Sequence, residues 1–142
     1  MKKKILPLLA GLLVFFAACS KKDNTVAITP DSVNNTVVSG SWRVTYFFDS
    51  NKDETSGFNG FVFVFLKNGY ISASNNLLSI SGSWIATSNA TQIQLQLNFN
   101  TSSNSNFLKI SEDWGIIELT NTKIRMQHIS SGSTDYLTLE KN

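Results

Sequence analysis

Residues 91–99 alternate without a fault: Ile93, Leu95, Leu97 and Phe99 fall on one side, and Gln92, Gln94, Gln96 and Asn98 on the other. A period of two is the mark of a half-buried antiparallel strand. Turning the chain at Ser88-Asn89 sets Trp84 against Ile93, Gly82 against Leu95 and Ile80 against Leu97. The same turn sets Ser81 against Gln96 and Ser83 against Gln94 on the opposite face. One register therefore satisfies both faces, as it must when one of them is buried.

The last third of the chain repeats the pattern as a meander, with Asn121-Thr122 and Ser131-Gly132 as turns. Leu119 then faces Ile124, Ile117 faces Met126, Ile124 faces Leu139 and Met126 faces Leu137. On the solvent side Glu118 meets Arg125 and Lys123 meets Glu140, opposite charges that support the same register. Upstream, residues 41–49 carry Trp42, Val44, Tyr46 and Phe48 on one face, and residues 61–66 are apolar on both. Lys67-Asn68-Gly69 makes the next hairpin; a three-residue loop with left-handed Gly69 pairs Phe65 with Ile71 and Phe63 with Ala73. Residues 100–106 are a Ser/Asn-rich loop, and residues 107–112 form a short element of about one helical turn before Trp114.

Sequential hairpins of about eight short strands predict an all-β fold, an antiparallel up-and-down eight-stranded barrel, because closure removes exposed edges. A two-sheet β-sandwich is the alternative. Composition agrees: the domain is rich in Phe, Ile, Leu, Val, Thr, Asn and Ser and poor in Ala, Glu and Lys.

The N-terminus reads differently. Lys2, Lys3 and Lys4 precede an uncharged apolar run over residues 5–18 that ends in Ala17 and Ala18. This is the build of a secretory signal, and it is shorter than the roughly 20 residues a membrane-spanning helix needs. The three domains expected are a signal peptide over 1–18, a flexible polar tether over 19–38 and a β-barrel over 39–142. Without the signal lysines, nine Lys/Arg face ten Asp/Glu, a net charge of −1 that gives no basic field for nucleic acid.

Phe16-Ala17-Ala18-Cys19 resembles the lipobox of bacterial lipoproteins, with Phe16 where that family usually has leucine. The resemblance implies cleavage before Cys19 and acylation of its thiol, with palmitate among the chains. More than one chain gives stable anchoring. Ser20 is not the aspartate that marks inner-membrane retention in enteric lipoproteins, so the resemblance implies a lipid-anchored outer-membrane protein. The periplasmic face and the cell surface both stay open.

Gly40-Ser41-Trp42, Phe65-Leu66-Lys67-Asn68-Gly69, Gly82-Ser83-Trp84, and Trp114 followed by Ile117 and Leu119 resemble the lipocalin-like lipoproteins of Bacteroidetes, over roughly residues 39–142. That resemblance implies an eight-stranded barrel, no catalysis and a small hydrophobic ligand inside. Trp42, Tyr46, Phe63, Phe65, Trp84, Met126 and His128 are the candidate lining residues. The same side chains are equally suited to filling a barrel of this size, whose interior holds either packed side chains or one small ligand. With a filled core, the alternative function is a cell-envelope interaction or glycan-capture accessory.

His128 falls opposite Asp135 in the last hairpin, as a cross-strand hydrogen bond or a polar group at one barrel mouth. One histidine, with Cys19 assigned to lipid, leaves too few nitrogen and sulfur ligands for zinc. Asp49, Asn51, Asp53 and Glu54 are spaced somewhat like a Ca²⁺ loop, but Lys52 intrudes and Glu54 stands where an EF-hand has glycine. No Gly-x-Ser-x-Gly elbow, P-loop or dinucleotide fingerprint is present. The expectation is a monomer with no metal, no cofactor and no enzymatic activity, its partners being the membrane through the lipid and a small hydrophobic ligand.

Overall fold

The computed structural model describes residues 24–130 and 132–142. The expected signal peptide, the expected lipidation site Cys19 and the expected turn residue Ser131 lie outside them. Nine strands form one antiparallel sheet: β1 (Ser41–Asp49), β2 (Lys52–Asp53), β3 (Val62–Phe65), β4 (Tyr70–Ser74), β5 (Ser79–Ser88), β6 (Ile93–Phe99), β7 (Asp113–Leu119), β8 (Lys123–Ser130) and β9 (Ser133–Lys141). β1 pairs with both β3 and β9, which closes eight strands into a barrel and leaves β2 as an extra ribbon on β1. The closed ladder excludes the sandwich.

Most of the pairing follows the alternation. Phe65 meets Ile71 and Phe63 meets Ala73, with Gly69 at φ +81°. Lys123 meets Glu140, Ile124 meets Leu139, Met126 meets Leu137 and His128 meets Asp135. Glu118 meets Arg125 and Leu119 meets Ile124.

Three details differ. The β5–β6 turn is not Ser88-Asn89: Trp84 pairs with Leu97, Gly82 with Phe99 and Ser88 with Ile93. Asn89 shapes the wider turn, its Oδ1 accepting from the backbone of Thr91 and Gln92 at 2.9 Å each. The slip is an even number of residues, so the same side chains still face inward. In β7 a bulge puts Ile116, not Ile117, opposite Met126. In β1 a second bulge between Val44 and Tyr46 turns Phe47 into the core and Tyr46 out of it.

The largest correction concerns the segment expected as a tether. Helix α1 (Pro30–Val37) lies within it, and its Val33 and Val37 are 0% exposed. Thr29 and Ser32 form a reciprocal capping box and Pro30 takes the first turn, so the polar string is a helix start rather than a spacer. Eight residues are too few to hold a helix alone, and burial of the i, i+4 valines against β5 and β6 supplies the stability. Further upstream, Thr25 bridges to Thr120 and the Val26 N–H donates to the Leu119 carbonyl at 2.9 Å. The folded domain thus begins by Thr25, well before residue 39.

Helix α1 plugs the barrel end where β1 starts and β9 finishes. A 3₁₀ turn (Thr55–Phe58) and helix α2 (Ser105–Lys109) cover the other end. Asn104 caps α2 through its side chain, which places the helix two residues earlier than the sequence suggests. Phe107 of α2 meets Phe58, Phe61 and Phe99 edge-on at 5.5, 5.0 and 5.0 Å and stacks on Phe63 at 5.9 Å. Edge-to-face contact is the favoured aromatic geometry.

Candidate functional site

Of the seven candidate lining residues, Trp42, Phe63, Phe65, Trp84 and Met126 are buried in one continuous hydrophobic cluster. They pack against one another in the core of the barrel. Trp42 donates its indole N–H to the Val37 carbonyl at 2.8 Å, so the plug helix sits directly on it. Trp84 meets Phe65 edge-on at 5.6 Å and shares its indole N–H between the carbonyls of Leu66 (3.0 Å) and Tyr70 (3.1 Å). Tyr46 does not line the interior at all. The β1 bulge turns it outward, where it stacks with Phe48 at 6.3 Å.

His128 reaches the rim at the α2 end. Its ring meets Trp114 edge-on at 6.0 Å and its Nδ1 lies 3.3 Å from the Asp113 carbonyl oxygen. Asp135 lies opposite in the ladder, but its Oδ1 accepts from the Ser50 N–H at 3.0 Å. A dish of about 240 Å³ opens here, lined by Asp49, Lys109, Glu112, His128 and Asp135 over a floor of Phe47 and Trp114. The floor rings are 6.3 Å apart and buried, so the dish does not continue into the barrel.

The 49–54 loop does hold a cation, and the cation is Lys109. Ser50 and Asn51, at φ 50° and 64°, make the tight two-residue hairpin that brings Asp49 opposite Lys52. Asp49 and Glu54 then both contact the Lys109 ammonium, Asp49 at 3.0 Å. The hydrogen bond from Lys109 holds the Glu54 carboxyl below its ordinary range, and the bonds to Glu54 and Asp49 raise Lys109 above its own. Asp53 is also lowered, by hydrogen bonds from Thr55. These contacts tie α2 to the β1–β2 hairpin. Among the described residues no group of three or more His, Cys, Asp or Glu is arranged to hold a metal ion.

No spacing or pattern along the chain points to Lys109, which joins Asp49 and Glu54 across more than fifty residues. Phe47 and Trp114 escaped as floor residues for different reasons. A bulge reversed the parity at Phe47, whereas Trp114 carried no signal for which end of the barrel it closes.

No protein-family model matches the chain, and no curated protein matches it. Among solved structures, it is similar to a DUF4847 family protein from Bacteroides vulgatus, at 15% sequence identity and a TM-score of 0.53. The likeness covers 78% of this chain and 97% of the other. At that identity it is a likeness of fold: a barrel shared with a Bacteroides protein.

Proposed function

We propose that the protein is a lipid-anchored, monomeric component of the bacterial outer envelope that acts through the outside of a solid barrel. The observation that carries this reading is the continuous cluster of buried side chains inside the barrel, covered by Val33 and Val37 of α1 at one end and by Phe58, Phe61 and Phe107 at the other. A carrier of a small hydrophobic ligand needs a concave apolar pocket to enclose it. Here those side chains enclose one another, which favours the envelope-interaction reading over the calyx. Binding rather than catalysis fits the dish at the rim, where Asp49, Asp135 and Lys109 are engaged by neighbours.

The proposed anchor, taken together with the fold, favours one orientation. Only residues 20–24 separate Cys19 from Thr25, which is pinned to the barrel wall, so the lipid lies within roughly 20 Å of the α1 end at ~3.3–3.6 Å per residue. Toward that end the charges are Arg43, Lys67, Lys123, Arg125 and Lys141 against Asp31, Glu118 and Glu140. Toward the α2 end they are Lys52 and Lys109 against six carboxylates, Asp49, Asp53, Glu54, Glu112, Asp113 and Asp135. The basic end faces the anionic membrane surface and the acidic end faces away.

Native mass spectrometry of the protein purified from its own membrane tests both parts. The expected result is a triacylated Cys19 and no further apolar mass, with Cys19→Ser released from the membrane fraction. A stoichiometric hydrophobic molecule retained in the folded barrel would overturn the solid-barrel reading.

A further inference from the structure

The two bulges lie at the same level of the barrel wall. In β1 the register shifts between Val44 and Tyr46, opposite Leu139 and Thr138 of β9. In β7 it shifts between Ile116 and Glu118, opposite Met126 and Arg125 of β8. Arg125 and Thr138 are themselves paired, so the bulges flank a single rung of the β8–β9 ladder. Bulges re-aim side chains and occur preferentially beside binding and active sites.

Here they turn two large side chains to the outside. Tyr46 is 40% exposed and Ile117 39%, while Phe47 and Ile116 occupy the inward positions beside them. The outcome is a groove of about 260 Å³ with Tyr46, Tyr136 and Ile117 as walls, Thr138 and Met126 beneath, and Arg125 on one side. The stacked rings of Tyr46 and Phe48, only 12° apart in plane, continue the wall, and Phe48 is the cross-strand partner of Tyr136. Beside it, Glu118 is held between Lys123 (3.1 Å) and Arg125 (3.0 Å). Arg125, the cation that borders the groove, is half exposed.

We propose that this groove binds a pyranose sugar carrying a carboxylate, that is, an acidic residue of a glycan. The proposal rests on the reading that the protein works through its outer surface and names what that surface takes. The negative face of an aromatic ring attracts the weakly positive C–H face of a pyranose. A guanidinium already oriented by Glu118 offers its remaining N–H groups to the sugar carboxylate. The volume falls just under the ~300 Å³ at which pockets for drug-sized ligands begin, so one sugar ring fits. Single-site affinity is accordingly weak, and a polymer held by several anchored copies gains by avidity.

Affinity electrophoresis of the detergent-solubilised protein through gels containing polygalacturonate, dextran or polyglutamate tests this. Polygalacturonate is expected to retard the protein, while neutral dextran and ring-free polyglutamate are not. Tyr46→Ala and Arg125→Gln are each expected to weaken retardation by about tenfold in apparent Kd, with unchanged circular dichroism. No retardation by polygalacturonate overturns the proposal, as does equal retardation by dextran. Equal retardation by polyglutamate that survives Tyr46→Ala overturns it in favour of bulk charge. None of these results bears on whether the lumen is filled, which mass spectrometry reads separately.

Discussion

The indole N–H of Trp42 donates to the carbonyl of Val37, 2.8 Å away, and this bond joins the first barrel strand to the helix that closes the barrel beneath it. Lys141 completes the arrangement from outside, its ammonium 5.3 Å over the Trp42 ring and 2.9 Å from the Ser39 hydroxyl. Plug, strand and C-terminus therefore form one packed unit.

If α1 is part of the core, a charge placed in it has nowhere to go. Val33→Asp buries a carboxylate at a fully enclosed position without a partner, a change that costs several kcal/mol. The expected outcome in urea denaturation is a large drop in midpoint or an unfolded protein, with Asp31→Asn nearly silent as an exposed control. A Val33→Asp variant as stable as the parent would mean that 30–37 is the loose spacer its composition suggests.

The α2 end makes a matching claim. Phe107 touches four other phenylalanines, and Phe107→Ala removes the ring that joins α2 to the barrel. Large-to-small changes of this kind cost about 3–5 kcal/mol. A hydrophobic dye should bind the variant, because the cavity left behind is apolar. A loss below about 1 kcal/mol would show that the lid contributes little to closing the barrel.

Much of this architecture was legible in the chain because period-two alternation reports which side chains face inward. The β3–β4 and β8–β9 registers follow from it directly, through Phe65 with Ile71 and Lys123 with Glu140. What alternation cannot report is a one-residue insertion in a ladder. At Tyr46 and Ile117 a bulge reverses parity, and period-two alternation carries no mark of it, so Tyr46, a wall of the outer groove, read as lining. Composition misled at 30–37 for another reason: Ser, Thr and Asn belong to caps as much as to linkers, and only the Val33, Val37 spacing distinguishes the two. The rim was half legible, since His128 and Asp135 came from register whereas Lys109 came only from the fold.

Gly82 gives a sharper test of the corrected β5–β6 register. A Cβ there would lie 2.2 Å from the Asn98 carbonyl oxygen and 2.8 Å from the Phe99 Cα, both backbone atoms that cannot move aside singly. Gly82→Ala is therefore expected to destabilise by about 1–3 kcal/mol through overpacking, instead of gaining from a stiffer unfolded chain. In the register with Ser88-Asn89 as the turn, Gly82 would face Leu95 and the Phe99 contact would not exist. A neutral or stabilising Gly82→Ala would argue for that register.

Acid stability follows from the carboxylates that the fold engages. Arg125 and Lys123 hydrogen bonds lower Glu118, the Lys109 bond lowers Glu54, and Thr55 lowers Asp53. A carboxyl whose pKa is depressed in the folded state stabilises the protein fully above its unfolded value, about 4.3 for Glu and 3.9 for Asp. That stability drains away as pH falls through this value toward the lower folded pKa, because the unfolded chain takes up the protons first. Lys109, raised by Glu54 and Asp49, acts in the opposite sense: its contribution is complete below about 10.4 and is lost only at more alkaline pH. Urea midpoints should therefore be level from about pH 5 to 9 and fall below about 4.5. Glu118→Gln should lower the neutral plateau and flatten the acid fall together, since it removes the interaction and its titration at once. An acid limb as steep in Glu118→Gln as in the parent would mean that the Lys123–Glu118–Arg125 cluster, and with it the oriented Arg125 of the outer groove, is not held in solution.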